Sequence, residues 1–142
     1  MKGSALKLAS AARPIKRTTA DAAVAAFLER VAKINSDDHF LYRVIRVVAF
    51  GSYLTGREHI NDVDFAVELE PKQSVSEVSL PLTEKFIDHA IASGRRFGSA
   101  LEKLAWPHTE VLLYLKNRSR TISLHETNDK ILETAQTRQL YP

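Results

Sequence analysis

Two aspartates, Asp62 and Asp64, open the run DVDFAVEL, and nine residues separate them from an apolar run that closes on Phe50-Gly51-Ser52. Residues 62–69 alternate between large apolar residues and polar or small ones, the pattern of a β-strand. Alternation places Val63, Phe65, Val67 and Leu69 on one face and Asp62, Asp64, Ala66 and Glu68 on the other. Two carboxylates on the same side of a strand repel one another unless a cation lies between them. Hard oxygen ligands suit Mg²⁺ or Mn²⁺, and Mg²⁺ is commonly held by one or two carboxylates together with substrate phosphates. Gly51 allows the backbone to approach a ligand closely. Ser52 offers a hydroxyl and an N–H suited to phosphate oxygens. If the strand ending at Phe50 pairs with the strand starting at Asp62, a phosphate cradle and a metal pair lie side by side. Metal-assisted phosphoryl or nucleotidyl transfer uses that arrangement.

The elements that must position these residues follow from the periodicity. Residues 42–50, YRVIRVVAF, are β-branched and aromatic and are expected as a strand, followed by the polar loop GSYLTGREHIN at 51–61. A helix is expected from Thr18, with Ala23, Phe27, Leu28, Val31 and Ile34 at helical spacing, ending in the turn formers of residues 35–38. A second helix is expected over 82–93 and a short third over 98–105, stopping before Pro107. TEVLLYL at 109–115 reads as a strand, KNRSR at 116–120 as a hairpin loop and TISLH at 121–125 as the return strand. A last helix starts at Thr127 or Asn128, and QTRQLYP is expected to fray. The order of elements implies an α+β (α/β) sandwich with one mixed sheet of four to five strands. The N-terminal helix and the 82–93 helix are expected on the face bearing Val63, Phe65 and Val67.

The strand–Gly-Ser–loop–Asp-x-Asp–strand pattern of residues 42–69 resembles the polymerase-beta-like nucleotidyltransferases, in particular their minimal, stand-alone members. The resemblance implies that the turn at Gly51 and Ser52 holds a nucleotide triphosphate and that Asp62 and Asp64 bind two divalent metals, Mg²⁺ or Mn²⁺. It also implies a third carboxylate on a later strand that completes the site and activates the attacking hydroxyl. Glu110, opening TEVLLYL, is the candidate for that catalytic and metal-binding role; the other reading is a solvent-facing strand end. Glu68 shares the aspartate face but lies too far along the strand. Thr55 stands where minimal members often carry Arg, Asn61 where Ser often precedes the first aspartate, and the loop has nine residues rather than ten.

Composition bounds the rest. The chain has 142 residues, 44% hydrophobic and 26% charged, in keeping with one globular domain. It has no cysteine, which excludes disulfides, thiolate zinc sites and cysteine nucleophiles and fits a cytoplasmic setting. No Gly-Lys-Ser/Thr phosphate loop is present. No apolar run reaches the length of a membrane helix. The net charge is +3, but residues 1–17 carry five bases and no acid, leaving 15 bases against 17 acids. The basicity therefore belongs to an expected flexible arm at 1–17, ahead of a domain at 18–137 and a tail at 138–142. Arg95, Arg96, Lys116, Arg118 and Arg120 could steer a polyanion such as RNA, although solvated loops look the same. Trp106 could stack on a base or simply pack.

Two functions fit these observations. The first is an enzyme that transfers a nucleoside monophosphate, AMP from ATP or the equivalent from another NTP, to a hydroxyl of a protein, RNA or small molecule. The second is an inactive subunit of the same fold serving as an antitoxin or partner-binding module. The resemblance further implies a separately encoded small helical partner in toxin–antitoxin fashion, and a homo-oligomer is compatible with it.

Overall fold

Ala20, Val24, Phe27, Val31 and Ile34 recur every three or four residues, and the helix they form, α1 (Arg17–Ser36), buries that stripe. Residues 14–73, 80–127 and 136–142 are described in the computed structural model. Ahead of α1, β1 (Ile15–Lys16) is a two-residue strand; after it come β2 (Tyr42–Phe50), a tight 3₁₀ turn at Gly51–Thr55, β3 (His59–Ile60) and β4 (Val63–Pro71). Two further helices, α2 (Leu80–Ala92) and α3 (Ala100–Lys116), precede β5 (Ile122–Glu126) and β6 (Thr137–Tyr141).

The main sheet is mixed, with strand order β5-β4-β2-β6. β2 and β4 run antiparallel with Phe50 opposite Asp64 and Ala49 opposite Phe65. Asn35, at the end of α1, bonds both backbone groups of Val44, donating to its carbonyl at 3.0 Å and accepting its N–H at 2.8 Å. One face of the sheet carries the core: Val44, Val47, Val63, Phe65 and Ile122 pack against Phe27, Val31 and Ile34 of α1 and Val111 and Leu115 of α3. Phe27 and Phe65 stack with ring centroids 4.2 Å apart. The other face carries a small buried group, Val48, Phe50 and Ala66, on the aspartate side of β4.

Several expectations are corrected. The segment 109–115 is not a strand; it is the second half of α3, which runs through Pro107. A strand would put Val111, Leu113 and Leu115 on one face, yet Val111 and Leu115 are fully buried and Leu113 is 49% exposed. That four-residue spacing is helical. Ser99 caps the helix by accepting the N–H of Glu102, and Asn117 ends it in a left-handed conformation, bonding Leu113 O at 2.9 Å. Asn117 and Arg118 both have positive φ, so KNRSR turns the chain from helix into strand rather than closing a hairpin. β5 consequently runs parallel to β4, with Asp64 opposite Ser123 and Ala66 opposite His125. The 80–92 helix does not cover the Val63 face: its Phe86 and Ala90 join Trp106 in a separate cluster. α3 takes that place.

The ends of the chain also differ. Residues 15–17 belong to the fold, because β1 pairs with β3 and Arg17 N–H bonds Glu58 O at 2.8 Å; residues 1–13 of the expected arm lie outside the described residues. The expected C-terminal tail forms β6, an edge strand on β2. Tyr141 fixes it by accepting a 2.8 Å hydrogen bond from Asn35. The helix expected from Thr127 or Asn128 falls on residues 128–135, outside those described.

Two stability measurements check this packing. Phe65→Ala should lower the unfolding free energy by about 3–5 kcal/mol, the usual cost of emptying a buried aromatic site. Leu115→Ala should cost about 2–5 kcal/mol, whereas Leu113→Lys should change stability by no more than about 0.5 kcal/mol. Equal losses at 113 and 115 in urea titrations would restore the strand reading.

Candidate active site

The site is built where three strands meet. β2 ends at Phe50, and Gly51 turns the chain with φ of 79°, in the left-handed region that a side chain resists. The contact at this turn is closer still. A Cβ added at Gly51 would lie 2.6 Å from Asp64 Oδ2. Glycine is therefore required twice over, by its φ and by the carboxylate that fills its side-chain space. The turn is braced from outside. Tyr53 is buried and donates to Asp21 Oδ1 of α1 at 2.6 Å. Arg17 reaches the carbonyls of Tyr53 and Arg57, each at 2.8 Å.

Ser52 lies beside Gly51, as expected, but its hydroxyl ties the turn to the start of β4. It donates to Asp62 O and accepts the N–H of Asn61, both at 3.3 Å. Thr55 donates to Ser52 O at 2.7 Å and tightens the same turn.

Asp62 and Asp64 lie on the expected face, against the Gly51–Ser52 turn. Each has a partner on β5. Ser123 Oγ donates to Asp62 Oδ2 at 2.8 Å, and His125 Nε2 lies 3.0 Å from Asp64 Oδ1. The ring of His125 stands edge-on to Phe50, centroids 5.0 Å apart. Burial pushes the Asp64 carboxyl above its ordinary value; the hydrogen bond from His125 opposes this, and the charge of Asp62 adds to it.

Glu110 is not in this cluster. It sits on α3, on the opposite side of the sheet from the aspartates, and accepts or shares a 2.7 Å contact with His39 Nε2. The reason for its displacement is the helical state of 109–115. Glu68 lies farther along the aspartate face, near Arg46, 3.8 Å from its Nε. Trp106 is buried, with the Arg95 guanidinium 4.4 Å from its ring centroid, so it packs rather than presents a face to a base.

Ser123 and His125 are the site residues that sequence reasoning missed. The signal was available: TISLH alternates, with Ser123 and His125 on one face and Ile122 and Leu124 on the other. Pairing TISLH with 109–115 hid it, because only the parallel register beside β4 brings these two residues to the aspartates.

The donor set fits a divalent cation of the Mg²⁺ type. Two neighbouring carboxylates, one of them in contact with a glycine turn that offers backbone to phosphate oxygens, match the way Mg²⁺ is characteristically held by one or two carboxylates plus substrate phosphates and water. Among the described residues no group of three or more His, Cys, Asp or Glu side chains forms an all-protein cage. The arrangement suits a cation bound together with a polyphosphate.

The raised Asp64 carboxyl gives a stability prediction for the metal-free chain. A carboxyl raised in the folded state favours folding while protonated. Its contribution is present in acid below the ordinary value of 3.8 and is lost as pH rises through the folded value. Asp64→Asn keeps an acceptor for His125 and removes the charge. It should melt above the wild type at neutral pH, and the gain should shrink below pH 3.8. A lower melting temperature at neutral pH would show that the charge of Asp64 is stabilising.

A family model described as a nucleotidyltransferase domain matches residues 28–133, which span β2, the turn, β4, both later helices and β5. No curated protein and no solved structure matches the chain.

Proposed function

Because the chain belongs to the nucleotidyltransferase domain family, we propose that it transfers a nucleoside monophosphate, AMP from ATP, to a hydroxyl of a protein acceptor in a metal-dependent reaction. The observation that carries this reading is the contact between Asp64 and the Gly51 turn, which puts one of the two neighbouring carboxylates against backbone suited to a polyphosphate.

The chain's own residues divide the work. The Gly51 turn, stiffened by Tyr53 and Arg17, receives the triphosphate along bare backbone. Ser52 keeps the turn in register with β4 through Asn61 and Asp62. Asp62 and Asp64 lie close enough for their charges to interact and would hold Mg²⁺ or Mn²⁺. A bound divalent ion would neutralise phosphate charge and stabilise the leaving pyrophosphate. In the transfer, the acceptor oxygen bonds the α-phosphorus while the α–β bridging bond breaks. Pyrophosphate leaves with the electron pair, and the hydroxyl proton is released. On this reading the acceptor hydroxyl belongs to a separate protein chain.

The test uses ATP labelled at the α-phosphate, Mg²⁺ and a cell extract as the source of acceptors. The wild type should label a protein and release pyrophosphate. Asp62→Asn should lower that rate by about 100-fold or more, since several kcal/mol of charge stabilisation is lost. Full activity in Asp62→Asn would place the chemistry elsewhere. Mg²⁺-dependent ATP binding without transfer to any protein, RNA or small-molecule acceptor would favour the inactive partner-binding module.

A further inference from the structure

The third residue around the aspartate pair is a histidine, and its geometry assigns it a task. β5 runs beside β4 with Ala66 opposite His125, so His125 projects on the aspartate side. Its Nε2 lies 3.0 Å from Asp64 Oδ1. An ionised aspartate only accepts hydrogen bonds, so Nε2 carries the hydrogen. The other oxygen of the same carboxylate, Oδ2, lies where a side chain at Gly51 would stand. Phe50, on β2 and on the same face of the sheet, meets the imidazole edge-on at 5.0 Å. The carboxylate is thus held at one oxygen and presented at the other.

Resting on the reading of this site as a divalent-cation site for nucleotidyl transfer, we propose that His125 is a positioning residue that holds Asp64 Oδ1 so that Oδ2 faces the Gly51 turn for the cation. The physical need is clear from the pair itself. Two carboxylates that repel would rotate apart when no cation is present, and each would then have to be reoriented on binding. Ser123 restrains Asp62 in the same way, with its hydroxyl 2.8 Å from Oδ2. β5 therefore acts as a rail of donors along the acidic strand. Removing a residue that orients a metal-binding side chain from behind typically costs about 10- to 100-fold in metal affinity. His125 does this with a donor rather than a third negative charge.

The full chain is titrated with Mn²⁺, without nucleotide and then with ATP, and free Mn²⁺ is followed by electron paramagnetic resonance. His125→Phe keeps the ring against Phe50 and removes the donor, and His125→Leu repeats the comparison with a smaller side chain. His125→Gln retains an N–H at similar reach. Loss of the donor should weaken Mn²⁺ binding by about 10- to 100-fold, while the metal-free circular dichroism spectrum stays that of the folded wild type. His125→Gln should recover most of the affinity. Wild-type affinity in both His125→Phe and His125→Leu would overturn the role of His125 and leave the nucleotidyl-transfer reading intact. An equal loss in His125→Gln and His125→Phe would overturn it too, since Gln keeps the donor. Failure of the wild type to bind Mn²⁺ with or without ATP would overturn both readings.

Discussion

Repulsion between two neighbouring carboxylates is the constraint around which this chain is arranged. Asp62 and Asp64 point the same way from an extended segment, and Asp64 is partly withdrawn from water. An isolated buried carboxylate is costly, and a like charge beside it adds to the cost. The surroundings offset this with hydrogen-bond donors: a serine hydroxyl for Asp62 and an imidazole for Asp64. The close fit of Asp64 against Gly51 leaves the carboxylate no room to swing toward the turn. The residual strain is what a divalent cation would relieve, so the same feature that burdens the fold supplies affinity on the proposed reading.

The rest of the architecture serves to hold that face still. β4 is bonded on both sides, antiparallel to β2 and parallel to β5. Its opposite face is clamped by α1 and α3 through Phe27, Phe65, Val111 and Leu115. Because strand side chains alternate, each apolar residue locked into the core fixes the direction of the aspartate next to it. Val63 and Phe65 are fully buried, so Asp62 and Asp64 cannot exchange faces without emptying the core. α1 contributes a second time from its N-terminal half, where Arg17 and Asp21 pin the turn through Tyr53. One helix thereby couples the core to the turn.

The parts legible in the sequence were those governed by a clean local period. α1, β2 and β4 each show one, and the aspartate pair and the Gly-Ser turn fell at their ends. The parts that were not legible depended on tertiary partners. TEVLLYL is rich in residues that favour strands, and burial of Val111 and Leu115 in the common core goes with its helical state, an override of propensity by packing. Pro107 added to the error, since a proline inside a helix usually ends it. Here the capped start at Ser99 and the left-handed stop at Asn117 hold the helix across it. β6 had no apolar alternation to reveal it. Its place comes from backbone pairing with β2 and from the Tyr141–Asn35 bond, which spans 106 positions of sequence.

The misplacement of Glu110 follows from the same physics, and it bears on the chemistry. An acid on strand 109–115 could have stood level with the aspartates. On α3 it lies behind the sheet with His39 and cannot approach them while the core is intact. The strand that does flank β4 offers Ser123 and His125 toward the aspartates. Its acid, Glu126, lies opposite Val67, on the other face, and is exposed. A site with two acids and two donors carries less negative charge than one with three acids, so it repels a triphosphate less and attracts bare cations less. Such a site binds cation and polyphosphate best together, each offsetting the charge of the other. On the proposed reading this ties metal occupancy to nucleotide occupancy, and the geometry that does so is set by the parallel register of β5.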